Sequence, residues 1–580
     1  VLKMPASLIE LRPDRRLLDH EFEGYKLNLH ALPHFSHELS SSVDRVYPDE
    51  VQYSFVHAKL FALHNHLAAD RWSSTYGFYY IDNKQQVRFV VFDSVSQTFN
   101  NKLVYDVPAH VERVSGHFNL CICFPSPYLA VVSDGTGYLH IVETGKREAG
   151  GASPLLWQTQ HSTLVLGEGK YFIILDTRFN EKDGKETLHC LLQSVEHKDG
   201  NFNSVLSWVL FEYGNQSWKQ ISMKKVEGKG IVHYAAIESS CDALYIAADN
   251  PFKFTSDSER EICEPAKPLQ KNIIYTWIQT TEDISITLQL QSNFEKNLLL
   301  VNVTPLAIKV SYAGNIFIDG KLRHKVDSEL TTWNVQDNGQ VDILITKSDS
   351  ALWDELLEGG DSNGEQIMDA SLVEEVHKRL AHLCSESEVV ADTSKPAFSS
   401  QQLEECDVAS EEDTVLVRIQ ADDHRITHRI SLSMHQFLFS LQLETNGVPA
   451  LALRHDVDAC VWQPYAQLIN SETWPVTHQG TLMAFGYVQS SKQNRKFVTC
   501  APNFSYSVVC ESSRHIFIYQ SVSNQDSQLR KRAGGVLKAV KVGQQHVFNI
   551  NEYGEVLGIQ ANNEYLFVLT EKNLIAIGLH

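Results

Sequence analysis

Apolar and polar residues alternate in short runs along most of the chain, and this period of two predicts β-strands with one buried face. A clear run covers 284–290, where isoleucines and leucines are separated by single polar residues. Turn-forming residues separate successive runs, as at Asp134-Gly135, which is a strong hairpin signal. One stretch differs, because a capping box at Ser371 and Glu374 precedes apolar residues at helical spacing. The sequence therefore predicts an all-β protein with one amphipathic helix.

The strand pattern divides the chain into two long outer parts around a compact middle segment. The middle segment holds some seven short strands, which is typical of a small antiparallel β-sandwich. The outer parts contain hairpin after hairpin, and the segments that join them to the middle are rich in charged residues, serine or proline. The predicted boundaries are an N-terminal arm at 1–20, outer parts at 21–255 and 414–580, linkers at 256–271 and 361–413, and the sandwich at 272–360.

The two outer parts together predict one β-propeller that the sandwich interrupts. Their roughly 400 residues would form about seven or eight four-stranded blades at about 45–55 residues per blade. Neither part is long enough to close a ring alone. Closure would place the first strand, near Tyr25, beside the last strands, near Phe567, and so protect both edges. The alternative is two independent β-sandwich domains with the third sandwich between them.

Charge is concentrated in one segment of the chain. The net charge is −21. Residues 351–415 hold 17 of the 71 Asp and Glu residues but only three of the 50 Lys and Arg residues. This distribution argues against direct nucleic-acid binding, which requires a basic surface. The acidic segment 385–413 is either a solvated connector or an attractive surface for a basic partner.

The sequence contains few candidates for chemistry. The ten cysteines form no CxxC pair, which indicates reduced thiols and a location in the cytoplasm and nucleus. No apolar run reaches the length of a membrane helix. The pairs His64-x-His66 and His455-Asp456-x-Asp458 lack further metal ligands, and Gly167–Lys170 matches only half of a phosphate loop. We therefore predict no cofactor, metal or catalytic residue.

Motif residues in the middle segment resemble a known domain. They are Tyr275, Trp277 and Gln279, then Gly320, Lys321 and Leu322, then Trp333, Lys347 and Trp353. This order resembles the CS domain of the NudC family, a sandwich shared with small heat-shock proteins and with co-factors of heat-shock protein 90. The stretches 22–27, 133–137 and 453–459 also resemble a member of that family, so the resemblance covers most of the chain.

The resemblance makes the nine motif residues candidates for partner binding. Strand alternation favours a core position for Trp277 and Trp333. We expect Gly320 to permit a tight turn, and Lys321 and Lys347 to be exposed contact residues.

The resemblance implies a non-enzymatic co-chaperone that captures client proteins in connection with heat-shock protein 90. Clients of the family include multidomain, β-propeller and RNA-helicase-type proteins. An alternative is a propeller scaffold for one partner, in which the CS domain is only a structural insert. A third class, a propeller hydrolase, predicts acidic or histidine residues at the centre of the ring. No sustained heptad pattern is present, which argues against self-association through a coiled coil, so we predict a monomer. Because no apolar run is long enough for a membrane helix, we also predict no membrane partner.

Overall fold

The computed structural model describes residues 7–262, 274–366 and 414–579, with gaps at 74–76, 148–155, 183, 199, 281, 291–295, 337–338, 349–352, 354, 359–363, 433–434, 468, 471, 493 and 522–540. The chain divides into two compact units. The outer unit combines residues 1–262 with 407–580, and the inserted unit comprises residues 263–406. The predicted helix near Ser371 and the acidic segment 385–413 lie outside the described residues.

The first part of the outer unit contains three complete sheets. Three strands and a helix precede them, namely β1 (Ser7–Ile9), β2 (Phe22–Leu27), β3 (His34–Glu38) and α1 (Phe55–Ala62). Sheet 1 contains β4 (Ala68–Ala69), β5 (Gly77–Ile81), β6 (Gln86–Asp93) and β7 (Thr98–Asp106). Sheet 2 contains β8 (Cys121–Ser126), β9 (Leu129–Ser133), β10 (Tyr138–Glu143) and β11 (Gln158–Leu164). Sheet 3 contains β12 (Ile173–Lys182), β13 (Lys185–Lys198), β14 (Asn201–Gly214), β15 (Ser217–Lys229) and β18 (Lys253–Asp257). Between β15 and β18 the chain forms β16 (Val232–Ile237) and β17 (Ala243–Ala248).

The inserted unit is a sandwich of two sheets, as predicted. Sheet 8 contains β19 (Tyr275–Gln279), β20 (Asp283–Gln289), β24 (Val326–Val335), β25 (Gln340–Lys347) and β26 (Gly364–Gln366). Sheet 9 contains β21 (Leu299–Thr304), β22 (Ala307–Tyr312) and β23 (Asn315–Lys321). Ile284, Ile286 and Ile343 of sheet 8 share one buried core with Ile308 and Val310 of sheet 9. Alternation in sequence thus gives each sheet one apolar face, and the two faces bury each other.

The second part of the outer unit completes four further sheets. Sheet 4 joins β16 and β17 to β27 (Val415–Gln420), β28 (Ile426–Ser431) and β1. Sheet 5 contains β29 (Phe437–Leu441), β30 (Ala450–His455), β31 (Asp458–Pro464) and β32 (Val476–Leu482), and the helix α2 (Phe485–Ser490) follows. Sheet 6 contains β33 (Arg495–Cys500), β34 (Tyr506–Glu511), β35 (His515–Gln520), β36 (Lys541–Asn549) and β2. Sheet 7 contains β37 (Val556–Ala561), β38 (Tyr565–Thr570), β39 (Asn573–Gly578) and β3.

Strands make up 58% of the structure and helix 5%, which confirms the all-β prediction. In the described part of the outer unit, each of the seven sheets packs against the next through a cluster of buried apolar side chains. A further cluster joins sheet 7 to sheet 1, where Phe567 contacts Phe78 with ring centroids 4.4 Å apart. The order of packing among the sheets is therefore cyclic.

Sheet 4 contains strands from both outer parts of the sequence. Ala243 of β17 pairs with Gln420 of β27, and the antiparallel register continues to Ala248 and Val415. The alternative of two independent outer domains is therefore wrong, because β17, which precedes the inserted unit, and β27, which follows it, are hydrogen-bonded neighbours.

The N-terminal strands differ from the prediction. Residues 7–9, predicted as part of an arm, form β1, which pairs in parallel with β28, and Leu11 is buried beside sheet 4. Tyr25 lies in β2, which pairs in parallel with β36, and its hydroxyl donates to the Met483 carbonyl at 2.6 Å. The strand that pairs with the C-terminal strand of sheet 7 is β3. The expectation that Tyr25 lies beside Phe567 is wrong, because the half-buried ring of Tyr25 packs against Tyr519 in sheet 6.

Candidate protein-interaction site

The first three motif residues lie on one strand and face the core of the inserted unit. Tyr275, Trp277 and Gln279 alternate along β19, and all three are buried. Tyr275 and Trp277 belong to the apolar core, which confirms the core prediction for Trp277. These side chains hold the sandwich together and are not available to a partner.

Gln279 connects two other motif residues through hydrogen bonds. Its side-chain nitrogen donates to the Trp353 carbonyl at 2.7 Å, and its side-chain oxygen accepts from the Trp353 backbone N–H at 2.8 Å. The Lys347 ammonium donates to the same oxygen and to the Thr280 carbonyl, both at 2.8 Å. Lys347 is buried, so the expectation of an exposed contact residue is wrong for it. The network attaches the segment around Trp353 to β19 and β25 of sheet 8.

The Gly320-Lys321-Leu322 motif has two buried positions and one exposed position. A Cβ at Gly320 would lie 2.9 Å from Leu357 Cδ1, so glycine permits close packing there and does not form the tight turn we expected. Leu322 is buried in the core. Lys321 is exposed and forms an ion pair with Glu358, and its hydrogen bond lowers the pKa of that carboxyl.

Trp333 lies outside the buried core of the sandwich, so the core position predicted for it is wrong. It is in the edge strand β24, directly opposite the buried Ile343, and 39% of its surface is exposed. Lys296 Nζ lies 5.9 Å from the ring centroid. Of the nine motif residues, the structure leaves Trp333 and Lys321 accessible to a partner.

The structure adds an apolar surface that the sequence reading missed. Leu300 on β21 and Ile316 on β23 are 66% and 55% exposed, and both pair across Ser311 of β22 on the outer face of sheet 9. We call the exposed side chains of Leu300 and Ile316, with Ser311 between them, the apolar row. The signal in the sequence is the unbroken run Leu298–Val301, because a strand with one buried face must point some of these residues outward. An exposed apolar row of this kind is typical of a protein contact.

A cavity of about 540 Å³ in the outer unit is lined by residues of sheets 1, 2, 3, 5, 6 and 7. Its carboxylates include Asp70 and Asp176. Asp176 accepts hydrogen bonds from the backbone N–H groups of Thr177 and Ile237 and from the Arg178 guanidinium. Its Oδ1 also lies 3.5 Å from Arg71. Acidic residues do converge here, but Asp176 is occupied by backbone and guanidinium donors that hold neighbouring strands together.

Asp70 is held in a similar way, because its carboxylate accepts from the Arg147 guanidinium at 2.7 Å. A general base needs a free oxygen within reach of a substrate proton. Asp70 and Asp176 therefore act as links between protein groups, and Glu444, a third carboxylate on the cavity, accepts from the Tyr465 hydroxyl at 2.8 Å.

His64 and His66, which the sequence offered as possible metal ligands, lie next to each other in the structure. The rings of His64 and His66 lie 4.6 Å apart. Among the described residues, no three His, Cys, Asp or Glu side chains are grouped to hold a metal ion. Asp458 accepts from the Ala484 backbone N–H at 2.6 Å, so this side chain satisfies a backbone group.

His64 and His66 predict that the outer unit loses stability in mild acid. Burial lowers the pKa of His64 to about 4, and burial together with the neighbouring His64 lowers the pKa of His66 well below its usual value. The unfolded chain therefore binds protons first, and stability falls as the pH drops from about 6.5 towards 4, by on the order of 2–3 kcal/mol.

This loss is measured as the melting temperature of the full chain between pH 7.5 and 4.5. The double variant His64→Gln and His66→Gln should make the profile less steep, although His140 and His189, whose pKa values burial also lowers to about 4, still contribute to it. His20→Gln, at an exposed position, should leave the profile unchanged. Equal slopes for the double variant and the parent chain would contradict the assignment.

The described cysteines are free thiols. Burial raises the pKa of the Cys121 thiol to about 12, so it is not a reactive thiolate at neutral pH. Within the described ranges, no helix has both the length and the apolar character needed to cross a membrane.

Comparison with known proteins agrees with this arrangement. A family model for the CS domain matches residues 273–347. NudC domain-containing protein 1 of Mus musculus is 33% identical over 588 residues, covering 99% of each chain. The protein of the same name from Xenopus tropicalis is 33% identical over 598 residues, again with 99% of each chain covered. A solved structure, "Nuclear movement protein from E. cuniculi GB-M1", is 31% identical, with 14% of this chain and 98% of that chain covered and a TM-score of 0.14. The chain belongs to the NudC domain-containing protein 1 family.

Proposed function

We propose that this protein is a non-enzymatic co-chaperone or adaptor that captures client proteins in connection with heat-shock protein 90. The observation that carries the proposal is the match over 99% of the chain to NudC domain-containing protein 1, with a CS domain in the matched region. CS domains are protein-interaction modules. The proposed clients are multidomain proteins, including β-propeller and RNA-helicase-type proteins, and the proposed location is the cytoplasm and nucleus.

We further propose that the seven sheets of the outer unit are the blades of a β-propeller. The cyclic order of packing supports this, because each sheet contacts the next and sheet 7 contacts sheet 1. Sheets 4, 6 and 7 also support it, since strands from distant parts of the chain complete them. A propeller of this kind provides a rigid platform of loops for binding.

Two binding surfaces on one chain would act together on a client. The apolar row on sheet 9 is the proposed contact of the inserted unit, and loops of the outer unit provide the second contact. Once one surface is bound, the effective concentration of the other reaches about the millimolar range for short connections. Binding through two weak contacts requires no nucleotide, metal or covalent step, and it allows release when either contact is lost.

The apolar row provides the test of this proposal. The double variant Leu300→Ser and Ile316→Ser should weaken binding of the full chain to purified heat-shock protein 90, or to a captured client, by about tenfold or more. Two exposed apolar side chains that become buried at an interface each contribute about 1–2 kcal/mol. The control is Leu344→Ser, at an exposed position on the other sheet of the same unit, which should leave the affinity unchanged. Dissociation constants from biolayer interferometry provide the comparison.

The alternative function is a dedicated scaffold in which the inserted unit has only a structural role. Burial of Tyr275, Trp277, Gln279, Lys347 and Trp353 favours it, because these motif residues serve the fold. In that case one stoichiometric partner would bind the double variant as well as it binds the parent chain. That result would refute the co-chaperone proposal.

A further inference from the structure

The segment that leads into α1, together with the first residue of that helix, exposes apolar side chains. We call residues 47–55 the aromatic loop. Val51, Tyr53 and Phe55 are 68%, 76% and 73% exposed, and Tyr47 is also exposed. Val111 and Val114 are exposed on the connection between β7 and β8. The Ser115 hydroxyl of that connection donates to the Tyr47 carbonyl at 3.2 Å. Several exposed apolar side chains in one place are typical of an interaction surface, because water contact with each is unfavourable.

Hydrogen bonds hold the aromatic loop in place. Asp49 Oδ1 accepts from the backbone N–H groups of Val51 and Gln52, at 3.0 and 3.1 Å. The Gln52 side chain donates to the Gly116 carbonyl at 2.7 Å, and the Gly116 N–H donates to the Tyr47 carbonyl at 3.0 Å. A preorganised loop loses little conformational entropy when a partner binds, so its exposed side chains contribute fully to affinity.

A groove of about 420 Å³ runs beside the loop. Tyr53 and Phe202 lie on it with ring centroids 5.1 Å apart in an edge-to-face arrangement. His57 and His197 also contact the Phe202 ring, at 5.2 and 4.7 Å. The groove offers aromatic surface for an apolar side chain of a partner.

The charges around the loop identify the kind of partner. Asp49, Glu50 and Glu112 are exposed, and none of them forms an ion pair within the described part of the chain. The nearby cations are already paired, Arg45 with Glu555, Arg113 with Asp44 and, on the groove, Lys170 with Glu196. The surface is therefore apolar and acidic together, and a partner with apolar side chains next to lysine or arginine is complementary to it.

We propose that the aromatic loop and its groove bind a basic, apolar segment of a partner polypeptide. The proposal rests on the proposed function, since it names a second contact for a protein-interaction chain, but it uses a surface of the outer unit. A second copy of this chain fits less well, because a two-fold contact would bring like charges together. An anionic membrane would be repelled by the same carboxylates.

The test uses the full chain and a phage-displayed library of random twelve-residue peptides. Selected peptides should combine aromatic or aliphatic residues with lysine or arginine. In fluorescence anisotropy, synthetic versions should bind the triple variant Val51→Ser, Tyr53→Ser and Phe55→Ser at least about tenfold more weakly than the parent chain. Glu50→Lys should also weaken binding, and the effect should diminish at high salt.

Two controls separate this surface from others. Val95→Ser replaces a side chain that is 92% exposed in a different turn, and Glu552→Lys reverses an exposed charge elsewhere; neither should alter binding. Circular dichroism and the melting temperature of the triple variant should match the parent chain, because the three side chains are exposed. Leu300→Ser with Ile316→Ser should keep peptide binding, so failure of the proposed function and failure of this inference give different results.

Several outcomes would overturn the proposal. They are the absence of any enriched sequence, enrichment of acidic peptides, and equal affinity of the triple variant. Sedimentation showing a dimer that the triple variant abolishes would assign the surface to a second copy. Flotation with phosphatidylserine-containing vesicles that depends on the loop would assign it to a membrane.

Discussion

Replacing Arg418 with methionine is expected to destabilise the outer unit by about 3–5 kcal/mol, because it leaves the buried carboxylate of Glu238 without its cation. In the structure Arg418 Nε and Nη2 donate to the two oxygens of Glu238 at 2.7 and 2.9 Å. The hydroxyls of Tyr245 and Ser240 donate to the same carboxylate at 2.7 and 2.8 Å. Both members of the ion pair are buried, so water cannot replace the lost donors.

The pair joins the two parts of the outer unit. Glu238 follows β16, before the inserted unit, and Arg418 lies in β27, after it. Burial alone would raise the pKa of Glu238, but hydrogen bonds from Arg418 and Tyr245 outweigh it and hold the pKa below its usual value of 4.5. The stabilisation is therefore full at neutral pH and is lost as the pH falls below about 4.5 towards the folded-state pKa.

The loss of stability is measured by denaturant unfolding of the full chain and by hydrogen exchange of residues 243–248 and 415–420. Arg429→Met on the neighbouring strand is the matched control and should cost less than about 0.5 kcal/mol, because Arg429 is exposed. Adding Glu238→Leu to Arg418→Met should recover most of the loss, since no unpaired charge then remains. A single variant as stable as the control would contradict the role of the pair.

Replacing Trp353 with alanine is expected to destabilise the inserted unit by about 3–5 kcal/mol. The ring is fully buried, with the His324 ring 5.6 Å away and Lys347 Nζ 5.8 Å from its centroid. Its removal leaves a cavity at the place where Gln279 binds the Trp353 backbone. The core then loses apolar contacts, and the network around Lys347 loses the ring that covers it.

Hydrogen exchange of β19, β20 and β25 in the full chain reports this loss for the inserted unit. Trp333→Ala is the matched control, since the same side chain is removed from a half-exposed position, and it should cost about 1–2 kcal/mol. The expectation is wrong if Trp333→Ala increases exchange more than Trp353→Ala does.

The sequence signals that succeeded were local. The Asp134-Gly135 hairpin joins β9 to β10, where Asp134 Oδ1 accepts from the Thr136 N–H at 2.8 Å and Gly135 has a φ of +75°. A turn of this type requires only a few adjacent residues. The same local rule would have placed Lys347 correctly, because it follows Val341, Ile343 and Ile345 at a period of two and so faces the core.

Other features escaped the sequence because their causes are not local. The helix α1 is short and is capped by Ser54, whose Oγ accepts from the His57 N–H at 3.2 Å, so its pattern is too brief to recognise. The strands β1 and β2 pair in parallel with strands more than 400 residues later in the chain. Many strand edges offer similar hydrogen bonds, and only side-chain packing selects one of them.

By itself, the sequence determined that this protein is built of short strands and that a CS domain interrupts it. These features depend on alternation, turn residues and motif spacing, all of which involve residues close together in the chain. The tertiary structure decided which strands share a sheet and which motif residues reach the surface. It also placed Leu300 and Ile316 on either side of Ser311, and the aromatic loop beside Phe202. These arrangements depend on contacts between residues far apart in the chain, where packing and burial choose among pairings that are locally equivalent.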